Sequence, residues 1–329
     1  MIGFAKPTRL YASVDGGGGG YTSASRCTLE EAIVKARSRA TIELATGNYA
    51  GPAAIIAKQI SIEPSSGAAP VLTSGRMWQS RTSLASFTIS GYTATSGSTG
   101  VESFISIVPT TLEWKTKPIV VACHGASGTE EQMLGTWPAY PRAVILAIVA
   151  AGYPVIAPYA GGNTWGNDTA MSRITEAVAY GRANLGASPS PVVLVGLSMG
   201  GCNVLNWAKR NRADTACVVG VVPVSDVSDI HTNNRSGLTA QINAAHSTWT
   251  EAAHGAARNP ATFAATDLAG LHYQAWGATS DTSCLPATVS AVCTAIGGTA
   301  TYTEVAGDHN SGIGAITTST VTSFIGAHT

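Results

Sequence analysis

Ser198, Asp281 and His309 follow one another in the order nucleophile, acid, base, and each stands where a strand should end. Ser198 closes the run Val192-Val193-Leu194-Val195-Gly196-Leu197-Ser198-Met199-Gly200-Gly201, an apolar stretch that stops at Gly-x-Ser-x-Gly. Such a run reads as a buried strand, a very tight turn and a helix. The small flanking residues let the helix approach the strand and leave the hydroxyl projecting from a strained turn. With 36 glycines in 329 residues, the five-residue pattern also fits a glycine-rich turn with a bystander serine. A serine hydroxyl is a poor nucleophile at neutral pH, so it needs a base, a group to orient that base, and donors for the developing oxyanion. His309 follows Ala306-Gly307-Asp308, beyond a strand over residues 300–305, and is the candidate base. Asp281 ends Trp276-Gly277-Ala278-Thr279-Ser280-Asp281, beyond a strand over 271–276, and is the candidate acid. Asp226, just past an apolar strand over 217–223, competes with it.

The oxyanion needs two N–H groups aimed at one point. Met199, first residue of the nucleophile helix, offers one. Ala126 offers the other, because Ile119-Val120-Val121-Ala122-Cys123 ends in His124-Gly125 and the glycine permits the required bend. His124 reads as a brace for this loop rather than a second base.

Four pieces carry a resemblance: His124-Gly125-Ala126, Gly196 to Gly201, Trp276 to Asp281, and Gly307-Asp308-His309. In this order and spacing, residues from about 100 to 329 resemble an α/β-hydrolase of the esterase, lipase and dienelactone hydrolase type. The resemblance implies a Ser-His-Asp triad and acyl-enzyme chemistry; the expected reaction is hydrolysis of carboxylic esters, with no cofactor. It does not imply a substrate. Two alternatives stay open: a peptidase of the same fold, and a virion protein whose hydrolase fold has lost activity.

Regular alternation from residue 102 onward supports an α/β class. Strands are expected at 104–108, 119–123, 154–158 and 217–223, and helices at 129–134, 142–151, 169–185 (capped by Asp168 or Thr169), 198–210 and 286–296. This predicts a mostly parallel sheet with helices on both faces and the site at the carboxyl ends of the strands. Residues 225–268 are polar and weakly periodic, and read as a lid inserted after a strand.

The first 98 residues differ. A helix over 28–38 has a capping-box pattern, Thr28 with Glu31. Short period-2 stretches follow at 41–44, 59–62, 70–72 and 86–90. The Gly16–Gly20 run lacks the Lys and Ser or Thr of a phosphate loop. Thr28 to Ile33, Ala40 to Tyr49 and Lys58 to Ile62 resemble the opening of right-handed parallel β-helix proteins such as pectate-lyase-like enzymes and phage tail spikes. The expected organisation is therefore a small β-rich module over 1–98, with the Ser/Gly/Thr stretch 96–100 as a linker, and a catalytic domain over 99–329. A spike-like module would make virion proteins partners, and an ester on a bacterial surface glycan or lipid the substrate.

Composition narrows the partners. Net charge is zero, the charged fraction is 12% and the pI is near 7, without the basic patch that nucleic acid demands. No stretch reaches the roughly 18 apolar residues of a membrane-spanning helix, and the start of the sequence lacks a signal-peptide core. Virion and cytoplasm both remain open as locations. Six cysteines form no Cys-x-x-Cys pair. Cys123, Cys202 and Cys217 read as apolar filler, and a Cys284–Cys293 disulfide stays open. His231, His246, His254 and His272 lack metal-ligand spacing, so no metal is expected. Trp137, Tyr140, Tyr159, Trp165 and Trp249 are equally suited to lining an acyl or sugar pocket and to core packing.

Overall fold

The structure, a computed structural model, describes residues 92–99, 101–110, 112–135 and 141–329, and before them the backbone of six short strands. The expected helix over 28–38, the Gly16–Gly20 run, Trp137 and Tyr140 lie outside the described residues. The chain divides into two compact units, one of residues 1–98 with 105–111, the other of residues 99–104 with 112–329.

In the first unit, β1 (Arg9–Ala12), β2 (Ala40–Leu44) and β4 (Ile60–Pro64) pair in parallel, and so do β3 (Gly47–Ala50) and β5 (Pro70–Thr73). β6 (Ala85–Ile89) and β7 (Tyr92–Ser98) form an antiparallel pair. The anticipated linker at 96–100 is therefore partly strand, since β7 runs on to Ser98.

β8 (Ser103–Pro109) is shared, with residues 105–109 assigned to the first unit. The second unit is built on β9 (Pro118–Cys123), β10 (Val155–Pro158), β11 (Ser188–Leu197), β12 (Thr215–Val221), β13 (His272–Ala278) and β14 (Ala300–Val305). Their spatial order is β14-β13-β12-β11-β9-β10, and every pairing is parallel. Parallel pairing needs a crossover between neighbours, which the helices supply. These are α1 (Arg142–Ala150), α2 (Asp168–Tyr180), α3 (Met199–Arg210), α4 (Val227–Thr232), α5 (Thr239–His246), α6 (Glu251–Arg258), α7 (Pro286–Ile296), α8 (Ser311–Gly314) and α9 (Thr318–Ala327).

The central strands are apolar without alternation because both faces are covered. Ile119, Val121, Val192, Leu194, Val218 and Tyr273 share one cluster with α2, α3 and α7. Residues of the other parity, Val120, Ala122, Val193 and Val195, are equally buried, and α1 packs against α9. Burying each Val, Ile or Leu side chain contributes about 1.5–3 kcal/mol.

Helix limits differ from expectation by a residue or so. α2 starts at Asp168, and the cap is Asn167, whose side chain accepts the Ala170 N–H. Asp168 instead points outward to Arg210 and Arg258. After Tyr180 the helix widens into one π turn, Gly181–Leu185, and stops at Gly186 with φ 76°. The segment at 129–134 is a 3₁₀ turn, Glu130–Met133, capped by Thr129.

Candidate active site

Ser198 sits between β11 and α3 at φ 49°, ψ −117°, outside the regions an L-residue prefers. Such a conformation costs about 1–3 kcal/mol and persists only where its surroundings enforce it. Here the Ser198 N–H donates to the Val221 carbonyl at 3.0 Å, and the Ser198 carbonyl accepts from Gly201 and Val224, both at 2.8 Å. The flanking glycines are steric requirements. A Cβ on Gly196 would stand 2.5 Å from the Gly200 carbonyl oxygen, and one on Gly200 would stand 2.2 Å from that of Cys123.

Asp281 and His309 come from the loops after β13 and β14, which are parallel neighbours. The loops are stitched together: Thr279 N–H donates to Val305, and Ser280 N–H to Gly307, at 2.9 and 2.8 Å. Asp281 Oδ1 accepts the N–H groups of Ser283 and Cys284, both at 2.8 Å. Its Oδ2 lies 2.7 Å from His309 Nδ1. A carboxylate only accepts, so Nδ1 carries a proton, and in the neutral ring Nε2 presents its lone pair to Ser198 Oγ at 3.0 Å. The Asp281 side chain is fully buried, while that of His309 is 23% exposed. Burial works against a charged imidazole, but the Cys284 sulfur when ionised and the Asp281 carboxylate outweigh it. His309 is held above its ordinary proton affinity.

The loop after β9 faces the serine. His124 is fully buried with Nε2 2.6 Å from the Tyr159 carbonyl and Nδ1 2.7 Å from that of Gly125, the bracing position expected of it. Gly125 N–H donates to Gln132 Oε1 at 2.7 Å. The Gln132 side chain folds under the turn, where a Cβ on Gly128 would stand 2.2 Å from that oxygen. Ala126 and Gly125 line the cavity in front of Ser198. Met199 opens α3, so its N–H has no acceptor within the helix.

The cavity has a volume of about 400 Å³. Leu197, Val224, Ile230, Leu238 and Ile313 form apolar wall, and Gln132, Ser236, Ser283 and Asn310 add neutral polar groups. Ile230, Ser236 and Leu238 come from the 225–268 segment, which folds as three short helices beside the cavity. Ser236 Oγ and Ser283 Oγ, 2.5 Å apart, tie that segment to the loop bearing Asp281.

The remaining candidates lie away from the triad or in other roles. Asp226 is not a second acid at this site: it caps α4, accepting from Asp229 N–H and Asn259 Nδ2 at 3.1 and 2.9 Å. Trp165 and Trp249 are buried in packing, and neither they nor Tyr159 line the cavity. Cys284 and Cys293 are free thiols, since Cys293 lies within α7 and Cys284 faces Ser198. The four histidines are bonded or stacked apart from the site: His231 on Asn243, His246 on the Trp165 carbonyl, His254 on Thr250 and His272 on His328. Gln132 and Cys284 were not anticipated at the site.

Among the described residues no helix is long and apolar enough to cross a membrane. Neither a protein-family model nor a curated protein sequence matches the chain. Solved structures do. A ferulic acid esterase superposes with a TM-score of 0.54 at 14% identity, covering 69% of this chain and 93% of its own. A thermostable esterase from Pseudomonas putida gives 0.52 at 15%, covering 73% and 82%. A fluorophosphonate-binding serine hydrolase from Staphylococcus aureus gives 0.55 at 13%, covering 68% and 92%. These likenesses lend no support to a tail-spike reading of residues 1–98. What they share with this chain is the architecture described above, and its second unit has the α/β-hydrolase fold.

Proposed function

We propose that the second unit is a serine hydrolase that cleaves carboxylic esters through an acyl-enzyme. The observation that carries this is the unbroken chain Asp281–His309–Ser198, at 2.7 and 3.0 Å, opening into the cavity. Ser198 Oγ attacks the ester carbonyl as its proton passes to His309 Nε2. Asp281 fixes the ring tautomer and stabilises the imidazolium. The N–H groups of Met199 and Ala126 bind the oxyanion, each contributing about 3 kcal/mol. His309 then protonates the departing alcohol. A water molecule, deprotonated by the same nitrogen, releases the acid and restores Ser198. The solved relatives named as esterases support this chemistry. The neutral, partly aliphatic cavity favours an uncharged acyl group over a phosphate or carboxylate.

The test is a short-chain nitrophenyl ester together with a fluorophosphonate probe. Wild type should turn over the ester and label at Ser198, and Ser198→Ala should do neither while keeping its fold. Full turnover by Ser198→Ala refutes the mechanism, peptide turnover exceeding ester turnover favours the peptidase alternative, and a wild type that never labels favours an inactive virion protein.

The parallel pairing of β1, β2 and β4 favours a second, finer reading, in which residues 1–98 contact a glycan or dock on a virion. An ester on a bacterial surface glycan or lipid is then the substrate. Equal rates on such polymers with and without residues 1–98 would remove it.

A further inference from the structure

The hydrolytic mechanism gives Cys284 no task. Its sulfur lies 3.9 Å from Ser198 Oγ. That sulfur, a carboxylate oxygen of Asp281 and a ring nitrogen of His309 lie within 4.8 Å of one another. Cys284 is 3% exposed, yet it borders the cavity, so a small solute entering there reaches it.

Thiolate sulfur and imidazole nitrogen are the donors that thiophilic and borderline divalent ions select. The surroundings already have the form of a ligand shell. Asp281 is committed behind the ring, with Oδ1 on two backbone N–H groups and Oδ2 on His309 Nδ1. A carboxylate in that position fixes the tautomer and raises the basicity of the outward nitrogen, as it does for metal-bound histidines. A tetrahedral ion with bonds of about 2.3 Å to sulfur and about 2 Å to nitrogen or oxygen holds its donors roughly 3.3–3.6 Å apart. Here Nε2 to Oγ is 3.0 Å and Oγ to Sγ is 3.9 Å, so the donors straddle that spacing.

We propose that Cys284 Sγ, His309 Nε2 and Ser198 Oγ form an inhibitory site for a thiophilic divalent cation such as zinc, with water from the cavity completing the tetrahedron. Binding converts the Cys284 thiol and M²⁺ into a metal thiolate and one released proton, and no electron is transferred. The ion occupies the lone pair that would accept the serine proton. The binding site stands on geometry alone, whereas its inhibitory effect rests on the hydrolase reading.

The experiment titrates the full chain with Co²⁺ and reads the thiolate-to-cobalt charge-transfer band, then repeats ester turnover with Zn²⁺. Wild type should develop the band and lose it on adding zinc or a chelator. Cys284→Ala should show no band, and Cys284→Ser, which keeps the size but not the thiolate, serves if the alanine variant misfolds. Cys217→Ala, a buried thiol on β12 away from the cavity, should keep the band. Relative to each protein's own metal-free rate, loss of the Cys284 sulfur should raise the half-inhibitory zinc concentration by about tenfold or more. A wild type without the band, a band that survives loss of the sulfur, or equal zinc sensitivity in the variants overturns the site. A cobalt band in a protein that hydrolyses no ester would leave the site standing and refute only the hydrolase.

Discussion

Replacing Asp281 by asparagine isolates the orientation of one proton. In the variant, Oδ1 can keep the two N–H bonds from Ser283 and Cys284, each 2.8 Å long in the wild type, so the side chain stays in place. The amide nitrogen then stands where Oδ2 stood, 2.7 Å from His309 Nδ1. It donates, so Nδ1 must accept and the ring proton moves to Nε2. That nitrogen now donates to Ser198 Oγ across 3.0 Å and has no lone pair for the serine proton. The imidazolium also loses its counter-charge. In a triad of this kind the combined loss is about 10⁴ in kcat, or about 5.4 kcal/mol at 1.36 kcal/mol per decade. The assay is initial-rate hydrolysis of a nitrophenyl acetate, with thermal melting as the fold control. A cooperative melt is expected, because Oδ1 keeps both of its N–H bonds, although the buried bond to His309 is altered and the melting point falls somewhat. A folded Asp281→Asn protein within about tenfold of wild-type kcat would refute the tautomer argument, and with it the role of Asp281.

Three further outcomes follow from other contacts. Gln132→Ala frees the turn bearing Ala126 and should lower kcat by about 10²-fold with KM little changed, read on the same ester. Gly200→Ala drives a Cβ into the Cys123 carbonyl at 2.2 Å, and the helix must retreat; a loss of about 3 kcal/mol in urea unfolding is expected. Burial holds His246 below its ordinary proton affinity, against the bond it donates to the Trp165 carbonyl. The unfolded chain therefore binds the proton more readily, and stability is full above about pH 6.5 and falls as the pH drops through the lowered value. Wild type should lose more melting temperature between pH 7.5 and 5.5 than His246→Gln does, and equal losses would exclude His246 as the cause.

Much of the site was legible because each part depends on local chain chemistry. The run into Ser198 is apolar since β11 is covered on both faces, and the glycines follow from carbonyls that leave no room for a Cβ. Asp281 and His309 were readable as the first acid and base beyond two consecutive strands. What stayed hidden depends on side chains folding back across space. Gln132 reaches Gly125 from a 3₁₀ turn that leaves no periodic trace. Cys284 sits three residues past the acid, but nothing in its spacing says that the loop turns it toward Ser198. The 225–268 helices are short and largely polar, so their periodicity is weak. Asp168 and Thr169 were both readable as caps, but the chain instead turns one residue earlier, at Asn167 with φ −72° and ψ 175°, and brings that side chain onto the Ala170 N–H.

His309 hangs from β14, which closes one end of the parallel set and whose residues are all exposed or half-buried. Ser198 hangs from β11 in the buried centre. Strands at a margin open at lower free energy than those inside. Mild heat or dilute urea should thus peel the base away while the interior still holds its nucleophile, and inactivation should run ahead of the loss of helical dichroism.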